Sequence, residues 1–318
     1  MSLFDLKNSS PQIWFAPMEG VVDPIVRDLW TRTIGGIDTC VSEFIRVTDR
    51  LLPDHVFFKI CPEMKKGGAT AAGIPVIAQL LGGQCEPMAL NAARAIELGA
   101  PAIDLNFGCP AKTVNNHDGG AALLKNPHRV HDVTRAVRNA IPADRTVSAK
   151  MRLGFSDKNY FLEIAKAAEE AGAAWITVHA RTRDEGYRPP AHWEYIARIR
   201  EELNIPVIAN GEVWSVEDYW KCREVTGCSH VMIGRGLMSK PDLAFAIKNS
   251  HPHYAWTEYM DFVRTFAHTN LAARGESYGA SRIKQLLKSI SRNQPEAAEL
   301  FDKIKLHHTV SPMTDLAL

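Results

Sequence analysis

Apolar residues in this chain gather into short, nearly unbroken runs, separated by stretches in which they recur every three or four positions. The runs are IWFAP (13–17), TCVSEF (39–44), PVIAQL (75–80), AIDLN (102–106), TVSAKM (146–151), WITVHA (175–180), PVIAN (206–210) and HVMIG (230–234). Most lack the alternation of a half-exposed strand, so each predicts a strand covered on both faces, as in a parallel sheet flanked by helices. Between them, Met88, Leu90, Ala93, Ala95, Ile96 and Leu98 ahead of Gly99 have helical spacing, as do Phe161, Ile164, Ala167 and Ala168 ahead of Gly172. No G-x-G-x-x-G follows the first run. Eight strand–helix units in residues 13–241 therefore predict an α/β fold of the (β/α)8 TIM-barrel type, of about 250 residues in its usual form, rather than a doubly wound sheet.

After Pro241 strand signals stop, and helical spacing predicts helices near 242–249, 256–273 and 280–306. Residues 242–318 are thus expected to form a small all-α domain. Residues 1–12, MSLFDLKNSSPQ, lack the basic start and apolar stretch of a secretory signal and read as a flexible leader. The apolar runs are far shorter than the roughly 20 residues of a membrane-spanning helix. The expected setting is the cytoplasm, and the expected form a monomer.

Charge changes the picture only locally. Thirty-seven Lys and Arg against 36 Asp and Glu leave a formal charge of +1, so any polyanion-binding surface must be confined to part of the chain. Such a part exists: Arg264, Arg274, Arg282, Lys284, Lys288 and Arg292 face one acid, Glu276. The cluster is either a solvated helix face or a phosphate-binding one. The six cysteines form no C-x-x-C pair, which speaks against a disulfide framework and a zinc site; no metal is expected.

In a TIM barrel the active site is built at the carboxyl ends of the strands. Here those ends carry Met18 and Glu19, Glu43, Gln79, Asn106 with Cys109, Lys150 with Arg152, His179 with Arg181, Asn210 with Glu212, and Arg235. The turns N-G-E (210–212) and G-R-G (234–236), including Gly211 and Gly234, place flexible backbone where N–H groups close on a phosphate, with Arg235 as its charged partner. On the fifth strand Ser148, Lys150 and Arg152 share a face. A lysine there needs a counter-charge, either a ligand's anionic edge or an ion pair with Glu43 or Glu212. Cys109, in a Gly-Cys-Pro loop, is expected to be presented rather than packed. As a protonated thiol it is a general acid; with Lys112 or His117 lowering its pKa it is a nucleophile. Spacing does not choose between them.

These motifs resemble a known family. APMEGVVD (16–23), QLLG (79–82), DLNFGCPAKTV (104–114), KMRLG (150–154), VHARTR (178–183), ANGE (209–212) and MIGRG (232–236) are similar, in order, to the tRNA-dihydrouridine synthases. The resemblance implies an FMN seated by Ala16, Pro17, Met18, Gln79, Lys150, His179, Asn210, Gly211, Glu212, Gly234 and Arg235, with NADPH as reductant. It implies Cys109 as the catalytic acid, Asn106 as a residue holding the target uracil, and Arg152 and Arg181 on the substrate side. The helical tail, with Arg282 and Lys284, is implied as the tRNA platform. Hydride from reduced FMN and a proton from Cys109 would convert a D-loop uridine to dihydrouridine. SEFIRV (42–47), RTRDEGYR (181–188) and SRIKQ (281–285) look most like the bacterial branch that modifies uridine 16. Other readings of the same residues are an FMN-dependent reductase of free pyrimidines and a catalytically silent tRNA-binding chaperone.

Overall fold

A computed structural model of the protein describes residues 4–310. Eight strands, β1 (Ile13–Phe15), β2 (Thr39–Arg46), β3 (Val76–Leu81), β4 (Ala102–Phe107), β5 (Thr146–Arg152), β6 (Ile176–His179), β7 (Val207–Asn210) and β8 (His230–Ile233), pair in parallel in chain order. They close into a barrel where β8 meets β1. Every predicted run lies on one of these strands. The helices that follow them are α1 (Pro24–Leu29), α2 (Asp54–Ile60), α3 (Cys85–Glu97), α4 (Lys112–Asn115), α5 (Pro127–Ala140), α6 (Phe161–Glu170), α7 (Trp193–Glu202), α8 (Val216–Thr226) and α9 (Arg235–Ser239). Local chemistry sets their ends: Asn126 caps α5 ahead of Pro127, and Ser215 caps α8, which stops at Gly227 in the left-handed region.

Alternate strand residues face opposite ways, which splits the apolar residues in two. Outward ones such as Val147, Ala149 and Met151 join the helices in the large core, whereas Trp14, Val41, Ile77, Ala102, Ile208 and Met232 fill the barrel interior. The amino-terminal end of the interior is closed by the leader. Phe4 and Leu6 are buried there, with Phe4 against Trp14 and Trp175 at ring separations of 6.3 and 5.4 Å. The leader is therefore not a free arm over its described part, because the barrel end leaves two tryptophans to be covered. His230 fixes it further, with Nε2 donating to the Leu6 carbonyl (2.9 Å) and Nδ1 accepting from the Gln12 N–H (3.3 Å). Residues 1–3 lie outside the described residues.

Beyond α9 the chain continues as α10 (Leu243–Asn249), α11 (Trp256–Arg274), α12 (Glu276–Ile290) and α13 (Pro295–Ile304). The helix expected over 280–306 is two: the chain turns at Ser291–Gln294, and Pro295, which has no N–H to donate, starts the next helix. Residues 311–318 of the expected tail lie outside the described residues. α12 lies against the barrel through Arg282, which is only 4% exposed. Its guanidinium donates to the carbonyls of Gly20 (2.7 Å) and Val21 (2.6 Å) and lies 3.5 Å from Asp23. Gln285 donates to the Gly20 carbonyl and the Tyr278 hydroxyl to Asp23. The loop between β1 and α1 is thus held by the tail. Among the described residues no helix is long and apolar enough to cross a membrane.

Candidate active site at the carboxyl end of the barrel

A cavity of about 520 Å³, within the usual range for small-ligand sites, opens at the carboxyl ends of the strands. Ala16, Pro17, Met18, Gln79, Asn106, Cys109, Lys150, Arg152, His179, Asn210, Gly211, Glu212, Gly234 and Arg235 all line it. Of the residues expected to hold the cofactor, the uracil or RNA, Arg181, Arg282 and Lys284 do not, and neither does Glu43 on β2. Arg181 is buried behind the wall: it pairs with Glu212, and its Nε donates to the carbonyls of Arg188 (2.6 Å) and Pro190 (3.2 Å). It shapes the loop after β6 and is not free to contact RNA. Arg282 binds the β1 loop as described, and Lys284 donates to the His307 carbonyl at 3.0 Å. The Arg282 guanidinium is not open to a phosphate, whereas half-buried Lys284 has one of the three donors of its ammonium taken. Of the six basic residues from Arg264 to Arg292, the exposed ones are Arg264, Arg274, Lys288 and Arg292, and Arg264 is engaged by Asp261.

Arg152 has two tasks. It is 3% exposed, yet it borders the cavity. Its Nε donates to the Gly108 carbonyl (2.8 Å) and its Nη1 to those of Thr182 (3.0 Å) and Gly186 (2.9 Å). Tying the Cys109 loop to the loop after β6 explains its burial, because a buried guanidinium needs its donors satisfied.

Neither alternative ion pair of Lys150 forms. Its ammonium donates to Asn210 Oδ1 (2.9 Å), while Glu43 accepts the Gly20 N–H (2.5 Å) and Glu212 is taken by Arg181 and the Trp214 indole. Burial and the neighbouring Arg152 charge push Lys150 down to about 8, against a smaller upward pull from Asp104. His179 is held well below the ordinary imidazole value by burial and then by the charges of Arg152, Lys150, Arg181 and Arg235, so it is neutral. Its Nδ1 is buried without a hydrogen-bond partner. Arg235, lowered chiefly by burial, lies between the rings of Tyr187 and Trp214 at 4.6 and 4.9 Å. A depressed lysine and a neutral histidine with an orphaned nitrogen stand beside Arg235, which lies 3.7 Å from Glu212 and shares that one carboxylate with Arg181, so cations outnumber carboxylates along this wall. Such a wall suits an anionic, acceptor-rich ligand.

Cys109 is packed and still borders the cavity. It is 8% exposed, in a small cluster with Leu81 and Val114, so the expectation of an exposed thiol is corrected. Gly120, at φ +59°, allows this packing, since a Cβ there would lie 3.0 Å from that of Cys109. Burial pushes the thiol pKa up, against a smaller downward pull from the Ala111 N–H. Lys112 and His117 do not line the cavity. Burial thus favours the protonated form of the thiol at neutral pH over the thiolate.

Two features were not singled out from sequence. Tyr187, 54% exposed on the cavity rim, lay unremarked inside RTRDEGYR. Asp104, buried beneath the floor, stands two residues before Asn106, a spacing that puts both on one face of β4 and is legible in the sequence. Among the described residues, no group of three or more His, Cys, Asp or Glu side chains could hold a metal ion.

With the site described, comparison with known proteins decides the family: the model of the family described as Dihydrouridine synthase matches residues 14–311. The chain belongs to the dihydrouridine synthase family. Similar proteins named tRNA-dihydrouridine(16) synthase include that of Shewanella oneidensis, 48% identical over 94% of each chain, and that of Pseudomonas putida, 50% identical over 92% of each. A third, from Haemophilus influenzae, is 44% identical over 95% of this chain and 97% of its own. Solved structures share the fold at low identity. A 2-naphthoyl-CoA reductase complex aligns with TM-score 0.59 at 12% identity, over 76% of this chain and 50% of its own. A variant of NCR from Zymomonas mobilis aligns with TM-score 0.54 at 16% identity, over 76% of this chain and 88% of its own. The family read from the motifs, and the enzyme class with it, stand.

Proposed function

We propose that this dihydrouridine synthase reduces the C5=C6 bond of a D-loop uridine in tRNA, at position 16. It acts as a cytoplasmic monomer with FMN as its bound cofactor and NADPH as the reductant. The observation that carries the reading is a thiol kept protonated at the edge of a cavity whose lining cations, Lys150, Arg152 and Arg235, outnumber its carboxylates, Glu19 and Glu212. Bound FMN would supply the hydride that saturates C6 of the base.

The chain's own residues do the rest. Lys150, His179 and Gln79 offer donors to the electron-rich edge of the cofactor. Arg235 and the glycine turns at Gly211 and Gly234 take its phosphate. Asn106 donates to a carbonyl of the uracil, and Cys109 delivers the proton to C5, a step suited to a neutral thiol at pH 7. To reach that thiol the nucleotide must leave its stack, at a cost of a few kcal/mol. Arg274, Lys288 and Arg292, on or beside α11 and α12, hold phosphates and fix register without reading sequence.

The test is reduction of a tRNA transcript by the purified yellow protein with NADPH, scored as dihydrouridine by mass spectrometry. Cys109→Ala, with its flavin retained, should lose at least about 100-fold in rate, the usual contribution of a positioned general acid. Full activity in that variant would refute the role of the thiol. Reduction of free uridine as fast as of tRNA would replace the reading by a small-molecule reductase.

A further inference from the structure

Beneath the cavity floor, four side chains form one hydrogen-bonded line. Asp104 accepts from the Ser148 hydroxyl (2.7 Å) and from Gln79 Nε2 (2.7 Å). Gln79 Oε1 accepts from Asn106 Nδ2 (2.7 Å), and Asn106 Oδ1 accepts from the main-chain N–H groups of Gly108 and Cys109, both at 2.9 Å. Strand register makes the line possible by setting Gln79 beside Asp104 and Asp104 beside Ser148.

The direction of the line is fixed from both ends. Main-chain N–H groups only donate and a carboxylate only accepts, so the two amides between them fit in one orientation. Their oxygens are thereby consumed: Asn106 Oδ1 uses both acceptor positions and Gln79 Oε1 takes the Asn106 N–H. Asn210 Oδ1 is likewise taken, by Lys150. What the bonds leave without a partner is one N–H on Gln79, one on Asn106 and two on the Lys150 ammonium, all residues of the cavity lining.

We infer that Asp104 is a positioning residue that sets the hydrogen-bond polarity of this floor: through Gln79 it makes Asn106 a pure donor to the ligand and an anchor for the Cys109 loop. Built on the function proposed above, this makes the site a reader of carbonyl oxygens. Placed against position 4 of the ring, the Asn106 N–H meets the carbonyl of a 2,4-dioxo pyrimidine, whereas the 4-amino counterpart sets an N–H₂ against it. The site thus selects uracil over cytosine by an unmatched donor, the kind of mismatch that costs most in a closed pocket.

The inference is tested on the flavin-loaded, full-length protein with Asp104→Asn, Asp104→Leu, Gln79→Glu and the Asp104→Asn/Gln79→Glu pair. Each is measured for kcat and KM on tRNA and, with no tRNA present, for hydrogen exchange of the peptide carrying Gly108 and Cys109. Asp104→Asn keeps an oxygen that accepts from Gln79, so it should stay within about threefold of wild type. Asp104→Leu removes the acceptor and should lower kcat at least about tenfold, the equivalent of one good hydrogen bond. KM for tRNA should hold within about twofold, because the phosphate contacts are untouched. Exchange at Gly108 and Cys109 should quicken in Asp104→Leu. Gln79→Glu alone sets two carboxylates together and should fail as Asp104→Leu does. In the paired variant the new amide donates to the new carboxylate, and protection at Gly108 and Cys109 should return to that of Asp104→Asn, while activity stays low because the Gln79 donor toward the cofactor edge is gone.

Wild-type kcat and exchange in Asp104→Leu, or no rescue of Gly108 and Cys109 protection in the paired variant, would overturn the inference. Should Asp104→Leu not fold, the Gln79→Glu rescue decides alone. Efficient reduction of a transcript with cytidine at the target position would also overturn it. Failure of the proposed function looks different: wild-type protein would make no dihydrouridine, while the exchange pattern still tests the hydrogen-bonded line.

Discussion

Arg282 separates a phosphate contact from an internal clamp, and the two predict opposite results for Arg282→Ala. Its guanidinium spans from α12 to the β1 loop, with hydrogen bonds of 2.7 Å to the Gly20 carbonyl and 2.6 Å to that of Val21 and an ion pair with Asp23. Truncation leaves Gly20 with its second donor, Gln285, but strips the Val21 carbonyl and half-strips Asp23, which keeps the Tyr278 hydroxyl. Two charged hydrogen bonds at about 1.5–3 kcal/mol each, partly replaced by Gln285 and water, give a loss of about 3 kcal/mol. That is several degrees in Tm for a protein of this size. Because the loop carries Met18 and Glu19 into the cavity, flavin retention should fall as well. The assay is thermal unfolding alongside tRNA affinity at several salt concentrations, with the slope of log affinity against log salt kept at its wild-type value. A wild-type Tm with a slope shallower by about 0.7–0.9, the share of one phosphate contact, would refute the clamp.

Phe4→Ala should cost about 3 kcal/mol through the cavity left against Trp14 and Trp175; an unchanged denaturation midpoint would mean that the leader is free after all. His230 should give the protein an acid limb. Burial lowers its pKa below an unfolded value near 6.5, so its stabilisation is whole above about pH 6.5 and is lost as pH falls below it, where the unfolded chain takes up the proton first. A pH series of unfolding free energies should show that limb, and His230→Asn should flatten it; the same slope in both proteins would contradict the prediction. Lys150→Met should stabilise the flavin-free protein at pH 7, since Lys150, pushed down to about 8, keeps a poorly compensated charge there. The gain should shrink between pH 8 and 10.5, as wild type loses that proton, and a destabilised variant at pH 7 would contradict it.

The barrel was legible because its signal is one-dimensional. A strand buried on both faces must be nearly all apolar, so PVIAQL at 75–80 falls on Val76–Leu81. The cavity lining was legible for a related reason: in this fold polar residues at strand ends have one place to go. What sequence hid depends on chain folding back. Arg282 and Arg292 look alike in a basic stretch, yet one is buried against the loop after β1 and the other is exposed, 5.1 Å from the Trp214 ring. Arg152 and Arg181 carry family motifs, but their partners are carbonyls of a loop whose path no local pattern discloses. The burial of Phe4 requires a barrel end built from residues over 150 positions away. Asp104 was within reach, since its spacing from Asn106 announces a shared face; its hydrogen-bond role required the neighbouring strands.

The central claim is most directly tested by position-resolved mass spectrometry of tRNA from a strain lacking this gene and from the same strain complemented with it. Dihydrouridine at position 16 should vanish in the first and return in the second, while complementation with Cys109→Ala should leave it absent. Unchanged dihydrouridine at position 16 in a strain with no second synthase for that site, or its loss at a different position alone, would contradict the account.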